Sequence, residues 1–172
     1  VVSGIWYGWP DYSGGEPITL PRFKPDRGPQ PEFLITQHPN VAPRPFAIFP
    51  PNSAIMGFDF NYNRTFGPYG DAYIAEFGGS GTRRVGYTTP NIGTGQRIAR
   101  IDMLTGGVTT FAINKSGYPA SLTSEGGFER PADVVFGPDG AMYVLDLGWS
   151  DPDSPGVFVP NTGVIWRISR NQ

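Results

Sequence analysis

The segment from Phe66 to Gly78 recurs as Phe136 to Gly148, reading FGPYGDAYIAEFG and then FGPDGAMYVLDLG. In the second copy an apolar run, Ala132 to Phe136, meets the turn Gly137-Pro138-Asp139-Gly140, and a second run, Ala141 to Leu147, follows at once. Two β-rich runs joined by a Pro-Asp-Gly turn predict a hairpin. A supersecondary unit that recurs marks a repeat architecture, in which each copy buries its apolar face against a neighbour.

The likeness extends beyond the hairpin. Gln96 to Asp102 follows the first copy and Gly163 to Ser169 follows the second, both short alternating runs with Arg-Ile near the end. The first copy adds a turn at Thr105-Gly106-Gly107 and a further run, Val108 to Ile113; upstream, Ala54 to Phe60 opens the unit, with Met56 to Phe60 as its innermost strand. Four antiparallel strands per unit make one blade of a β-propeller. The expected fold is therefore all-β, a partial β-propeller. Residues 1–53 form an aromatic loop and a Pro-rich segment that complete a preceding blade, 54–118 a full blade, and 119–172 a last blade whose fourth strand comes from elsewhere. The expected blade core is Phe60, Tyr73, Ile74, Ile98, Val134, Phe136, Tyr143, Val144, Ile165 and Ile168. No stretch sustains a 3.6-residue apolar period, so no helix longer than about two turns is expected.

Composition narrows the function classes. The 24 Gly and 19 Pro would suit a low-complexity chain, but 14% of residues are aromatic and can bury surface. Gly and Pro fall at turns between apolar runs, as an all-β repeat requires. The net charge of −2 comes with no basic stripe, which argues against nucleic acid as a partner. Without Cys, disulfides, zinc thiolate sites and thiol catalysis are excluded. No apolar run reaches membrane-spanning length, and no signal peptide is visible. Val1 opens abruptly in strand-like sequence, so the true start is expected upstream.

Along the chain, Trp6, Tyr7 and Trp9 cluster before Pro10, either as core packing or as the aromatic wall of a pocket. Glu16 to Arg44 is Pro-rich and irregular, with one strand expected at Phe33 to Thr36; Pro45 to Pro51 reads as an edge strand. Arg83 and Arg84 lie in a Gly-rich loop, where two guanidinium forks suit a carboxylate or phosphate; the alternative is a solvated pair. Asp151 and Asp153 alternate as calcium ligands do, but the rest of a calcium loop is missing, which favours a solvated acidic turn. His38, alone between Gln37 and Pro39, reads as structural. No Ser-His-Asp set, metal-binding His pair or phosphate loop is present. Asn63-Arg64-Thr65 and Asn114-Lys115-Ser116 match the glycosylation pattern.

YGWPDYSGG (Tyr7 to Gly15), the strand Gly57-Phe58-Asp59-Phe60, the first hairpin copy, and RPADVVFGPDGAMYVLDLG followed by TGVIWRI together resemble the C-terminal part of glucose/sorbosone dehydrogenase-like proteins, the family of soluble quinoprotein glucose dehydrogenases. The resemblance runs through most of Tyr7 to Ser169. It implies the last two to three four-stranded blades of a six-bladed propeller, with the remaining blades as partner. It also implies pyrroloquinoline quinone (PQQ) and calcium as cofactors, an aldose sugar as substrate, and an extracellular or periplasmic location. By the same resemblance Trp9 matches the aromatic over quinone and sugar, and Trp6 a second substrate-facing aromatic. Arg130 matches the first Arg of an R-x-R-D-V run that meets the quinone carboxylates, with Ala132 in place of the second Arg. Arg83 or Arg84 stands in for a quinone-contacting Lys. The family's catalytic His and calcium loop lie upstream, and His38 does not match that His. Two readings follow: the cofactor-facing wall of a quinone-dependent sugar dehydrogenase, inactive by itself, or a non-catalytic propeller module that kept the fold and lost the site.

Overall fold

A computed structural model of the chain describes residues 1–79, 94–123, 125–149, 151 and 157–170. The chain divides into two compact units, Val1–Ile48 and Phe49–Gln172. Among the described residues the structure is all-β, with three antiparallel sheets, no α-helix, and two single-turn 3-10 segments at Pro21–Phe23 and Ala120–Leu122. Among the described residues no helix is long and apolar enough to cross a membrane.

The sheet of the first unit is a hairpin of two-residue strands, β1 (Tyr12–Ser13) with β2 (Glu16–Pro17). The strand expected at Phe33 to Thr36 does not form. Its amides are taken instead by a side chain, as Leu34 and Ile35 donate to the Asp11 carboxylate at 2.7 and 3.0 Å. Nor is Pro45 to Pro51 a strand. Three of its positions are prolines, which bring no N–H to a ladder.

The second unit carries the repeat. β3 (Ile55–Phe60), β4 (Ala72–Glu76), β5 (Arg97–Ile101) and β6 (Val108–Ile113) form a four-stranded meander in chain order. β7 (Pro131–Phe136), β8 (Met142–Asp146) and β9 (Val164–Ile168) form a three-stranded one. The turn between β7 and β8 closes with the Gly140 amide on the Gly137 carbonyl at 2.9 Å, and Gly140 has φ +75°, a conformation glycine adopts without strain. The two copies are joined differently: β3 and β4 are linked by the longer segment 61–71, which folds Phe66 back into the core.

The sheets meet through β7, which packs against β3 and β4. Gly57 makes the approach possible: a Cβ there would collide with the Asp133 carboxylate and its backbone. Between the sheets lie Phe66, Tyr73, Ala75, Ile98, Phe128, Val134, Met142 and Val144, with Phe136, Trp166 and Ile168 packed at the margin. Ile74 is also buried. Three expected core residues are not there. Phe60 is half-buried, with its ring against Phe58 and Tyr62 rather than in the cluster. Ile165 is 68% exposed, and Tyr143 is half-buried, its hydroxyl on Asp139 at 3.0 Å. The register explains the last two. Val144 pairs with Trp166 on the inner face, which sends Leu145 with Ile165, and Tyr143 with Arg167, to the outer face. Trp166, not Ile165, fills the core position.

Candidate functional site

Arg130 stands at the entrance to β7, held by a carboxylate on the next strand. Asp146, 2% exposed, accepts the amides of Glu129 at 2.7 Å, Arg130 at 2.8 Å and Gly148 at 3.0 Å. The Leu147 amide closes onto the Arg130 carbonyl at 3.0 Å. The end of β8 thus fixes the backbone from which Arg130 projects.

The Arg130 side chain is enclosed, at 5% exposure. Its Nη1 donates to the Glu129 carbonyl at 3.1 Å, and its guanidinium carbon lies 5.5 Å from the centre of the Phe77 ring. Nε is buried with no partner. Burial pulls the pKa down from its ordinary value, while the Glu129 and Asp146 carboxylates pull it back. An arginine keeps its proton at neutral pH all the same. The Glu129 carboxylate, itself buried, accepts the Ser121 amide at 2.7 Å and the Ser121 hydroxyl at 2.9 Å. Glu129, Asp146, Ser121, Trp149, Thr162 and Val164 line a cleft of about 360 Å³ beside this entrance.

The matching end of the first sheet is built differently. Glu76 occupies the repeat position of Asp146, but it accepts from a side chain: Arg97 Nη2 at 2.9 Å and Nε at 3.0 Å. The second oxygen of Glu76 is buried and unpartnered. Gln96, at φ +48° and 1% exposed, bonds the carbonyls of Phe77 at 3.3 Å and Gly79 at 3.1 Å, leaving its Oε1 without a partner. Arg130 and Gln96 therefore both rest on Phe77, one on its ring and one on its carbonyl.

In the N-terminal unit Trp6 is half-buried and Trp9 is 83% exposed. Reciprocal bonds with Asn40, both at 3.0 Å, clamp Trp6, and the Trp6 Nε1 donates to the Trp9 carbonyl at 2.6 Å. The Trp9–Pro10 peptide is cis. Trp9 presents an open indole. Of the aromatic alternatives, Trp6 packs in a ring cluster while Trp9 faces solvent.

Of the sequence-derived site residues, Trp6 and Trp9 come together in the first unit and Arg130 lies in the second. Arg83, Arg84 and Asp153 fall outside the described residues. The Asp151 amide bonds the Val157 carbonyl at 2.9 Å. Among the described residues no three His, Cys, Asp or Glu side chains converge to hold a metal ion. Sequence reasoning passed over Asp11, Gln96, Glu129 and Asp146. Only Asp146 left a signal, since an acid precedes x-Gly in both repeat copies.

No family model, curated protein or solved structure matches the chain.

Proposed function

We propose that this chain is part of the cofactor- and sugar-facing wall of a quinone-dependent aldose dehydrogenase, with Phe49–Gln172 supplying consecutive blades of a β-propeller. In support, the two meanders follow chain order, and the first strand of the second sheet lies beside the first strand of the first. The single observation that carries the reading is the buried Nε of Arg130, a charged donor left without an acceptor. An unsatisfied buried donor is costly, and a guanidinium matches a carboxylate in shape and charge. PQQ bears carboxylates, and Arg130 would hold one of them. The bound quinone would supply hydride acceptance. The chain's own share is orientation: Arg130 anchors, and Trp9 offers a flat face for a sugar ring. Calcium would be bound outside the described residues. The remaining blades are the partner, and an extracellular or periplasmic setting follows from the resemblance.

Ala132 favours the second reading, a propeller module that binds without catalysing. It stands where a second quinone-facing Arg would be and offers no donor. Titration of PQQ with calcium into the full-length protein separates the two. The dehydrogenase reading expects saturable binding that Arg130→Ala weakens by about 1.5–3 kcal/mol, the worth of one charged hydrogen bond. Absent binding, or affinity unchanged by Arg130→Ala, leaves the binding module.

A further inference from the structure

The two meanders repeat one another in register as well as in sequence. Phe60 opposite Ala72 corresponds to Phe136 opposite Met142, Asp59 opposite Tyr73 to Val135 opposite Tyr143, and Phe58 opposite Ile74 to Val134 opposite Val144. Both first strands shift register at the same place, between Ile55 and Phe58 and between Pro131 and Asp133. Each sheet therefore has the same two faces, and the contact inside the chain joins unlike ones. Tyr73, Ala75 and Ile98 of the first sheet meet Val134, Met142 and Val144 of the second. One face of each kind is left. On the second sheet, Tyr143, Leu145 and Ile165 hold the places of Tyr73, Ala75 and Ile98, with Leu145 and Ile165 42% and 68% exposed. On the first sheet, Phe58 holds the place of Val134, and it is 55% exposed where Val134 is 2%.

The remaining pair of faces can meet as the inner pair does. Within the chain the Phe136 amide is taken by the Asp59 carboxylate at 2.8 Å. Phe60, in the place of Phe136, already gives its amide to Asp59 Oδ1 at 2.8 Å, and Val135 stands in the place of Asp59. A contact there strands no donor at that position and buries apolar side chains from both sides. We propose that the exposed face of the second sheet receives the Phe58 face of a second copy of this chain, continuing between copies the contact that joins the two sheets within one. The inference rests on the propeller reading and deepens it by naming the source of the remaining blades: further copies of this chain. The two faces differ, so the contact is head-to-tail, and the assembly closes into a ring or extends as a filament.

Two charge substitutions read the direction of the contact. Phe58→Lys blocks one face and Ile165→Lys the other, both at exposed side chains outside the core cluster. Light scattering should show the unmodified chain associating at micromolar concentration and each variant alone as a monomer, with the circular dichroism spectrum unchanged. An equimolar mixture of the two variants should give a species of twice the monomer mass. Phe58→Lys still offers the second-sheet face and Ile165→Lys the Phe58 face, so one intact pair of faces remains. A Phe58→Lys chain that associates as the unmodified chain does overturns the proposal, because like faces are then meeting about a two-fold axis. A mixture that stays monomeric overturns it as well. In both cases the propeller reading stands, since the open faces still seek a partner. A monomeric unmodified chain removes the proposal and the propeller reading together. Where Phe58→Lys does not fold, Met56→Lys, 51% exposed on the same strand, replaces it with the same expected outcomes.

Discussion

Asp59 binds a strand to which it does not belong: its Oδ2 accepts the Phe136 amide of β7 at 2.8 Å, while its Oδ1 accepts the Phe60 amide at 2.8 Å. One carboxylate thus ends its own strand and fixes the next sheet against it. Asn63 repeats the device at the turn, its Nδ2 on the Gly140 carbonyl at 3.1 Å. These polar ties set how the sheets meet, which apolar packing alone leaves free to slide.

Asp59→Ala should therefore destabilise the second unit by about 1.5–3 kcal/mol, the range for hydrogen bonds to a charged group. Urea unfolding monitored by circular dichroism measures it. A change within about 0.5 kcal/mol, the scatter of ordinary surface substitutions, would show that the tie contributes little.

Asn114 makes three bonds, two of them buried, donating Nδ2 to the carbonyls of Tyr118 at 2.8 Å and Phe128 at 2.7 Å and accepting the Phe128 amide at 2.7 Å. Asn114→Asp turns the donor into a second acceptor facing two carbonyls, and should cost roughly 2–4 kcal/mol. The same geometry bears on the glycosylation pattern at this position. A glycan on Nδ2 would replace one of the two hydrogens that these carbonyls use, and so break one of the two bonds. Peptide mass mapping after expression in a glycosylating host should find Asn114 unmodified; an occupied Asn114 would mean that this loop is remade.

The hairpin and the strands of the second unit were legible because their signals are local. Alternation and the Gly-Pro-Asp-Gly turn predicted β7 and β8, and the repeat carried the inference back to β4. Tyr143 and Ile165, expected in the core but found outside, share one cause. Periodicity shows that a strand has two faces, but not which face is inner when both are apolar, and β9 reads Val-Ile-Trp-Arg-Ile. The N-terminal unit was opaque for a different reason. Its order comes from Asp11 reaching Leu34, Ile35 and His38, contacts distant in sequence that no spacing rule anticipates. His38 looked solitary for the same reason. Arg130 could be singled out by its motif, but its enclosure depends on Phe77, which follows β4 of the other sheet.

Asp11 also predicts how the first unit meets acid. Burial acts to raise its pKa, but the bonds from His38 and from the Leu34 and Ile35 amides outweigh it and hold the value below the ordinary 3.8. A carboxylate depressed in the folded state contributes stability that is fully present above its unfolded value and is lost as pH falls through the folded one. The unit should therefore hold through the neutral range and loosen below pH 3.8. Asp102 and Asp139 are depressed as well, Asp102 by the Leu104 and Thr105 amides and Asp139 by Arg167, so the contribution of Asp11 is read by difference. Compared with the unmodified chain, Asp11→Asn should be less stable at neutral pH and should show a smaller loss on acidification. An identical acid profile would show that Asp11 is not the group being protonated.

The outer face of the second sheet predicts association. Val135, Leu145 and Ile165 are 54%, 42% and 68% exposed, and the register puts Leu145 directly across from Ile165 on that face. Their neighbours Val134 and Val144, turned the other way, are 2% and 0% exposed against the first sheet. The sheet is therefore apolar on both faces, as a strand layer is when it lies between two others. Beside the exposed row runs β9, an edge strand with no outer partner among the described residues, where the first sheet has β6. Arg167, ion-paired to Asp139 at 2.8 Å, puts one charge on this face, too few to deter edge pairing. Exposed apolar surface next to a free strand edge favours contact with another polypeptide. The purified chain should self-associate at micromolar concentration, as seen by light scattering. Ile165→Lys and Leu145→Lys, each pointing away from the core, should shift it toward monomer with the circular dichroism spectrum unchanged. A monodisperse, cooperatively unfolding monomer in the unmodified chain would show that the face is satisfied without a partner, and would also count against its being an open flank of a propeller.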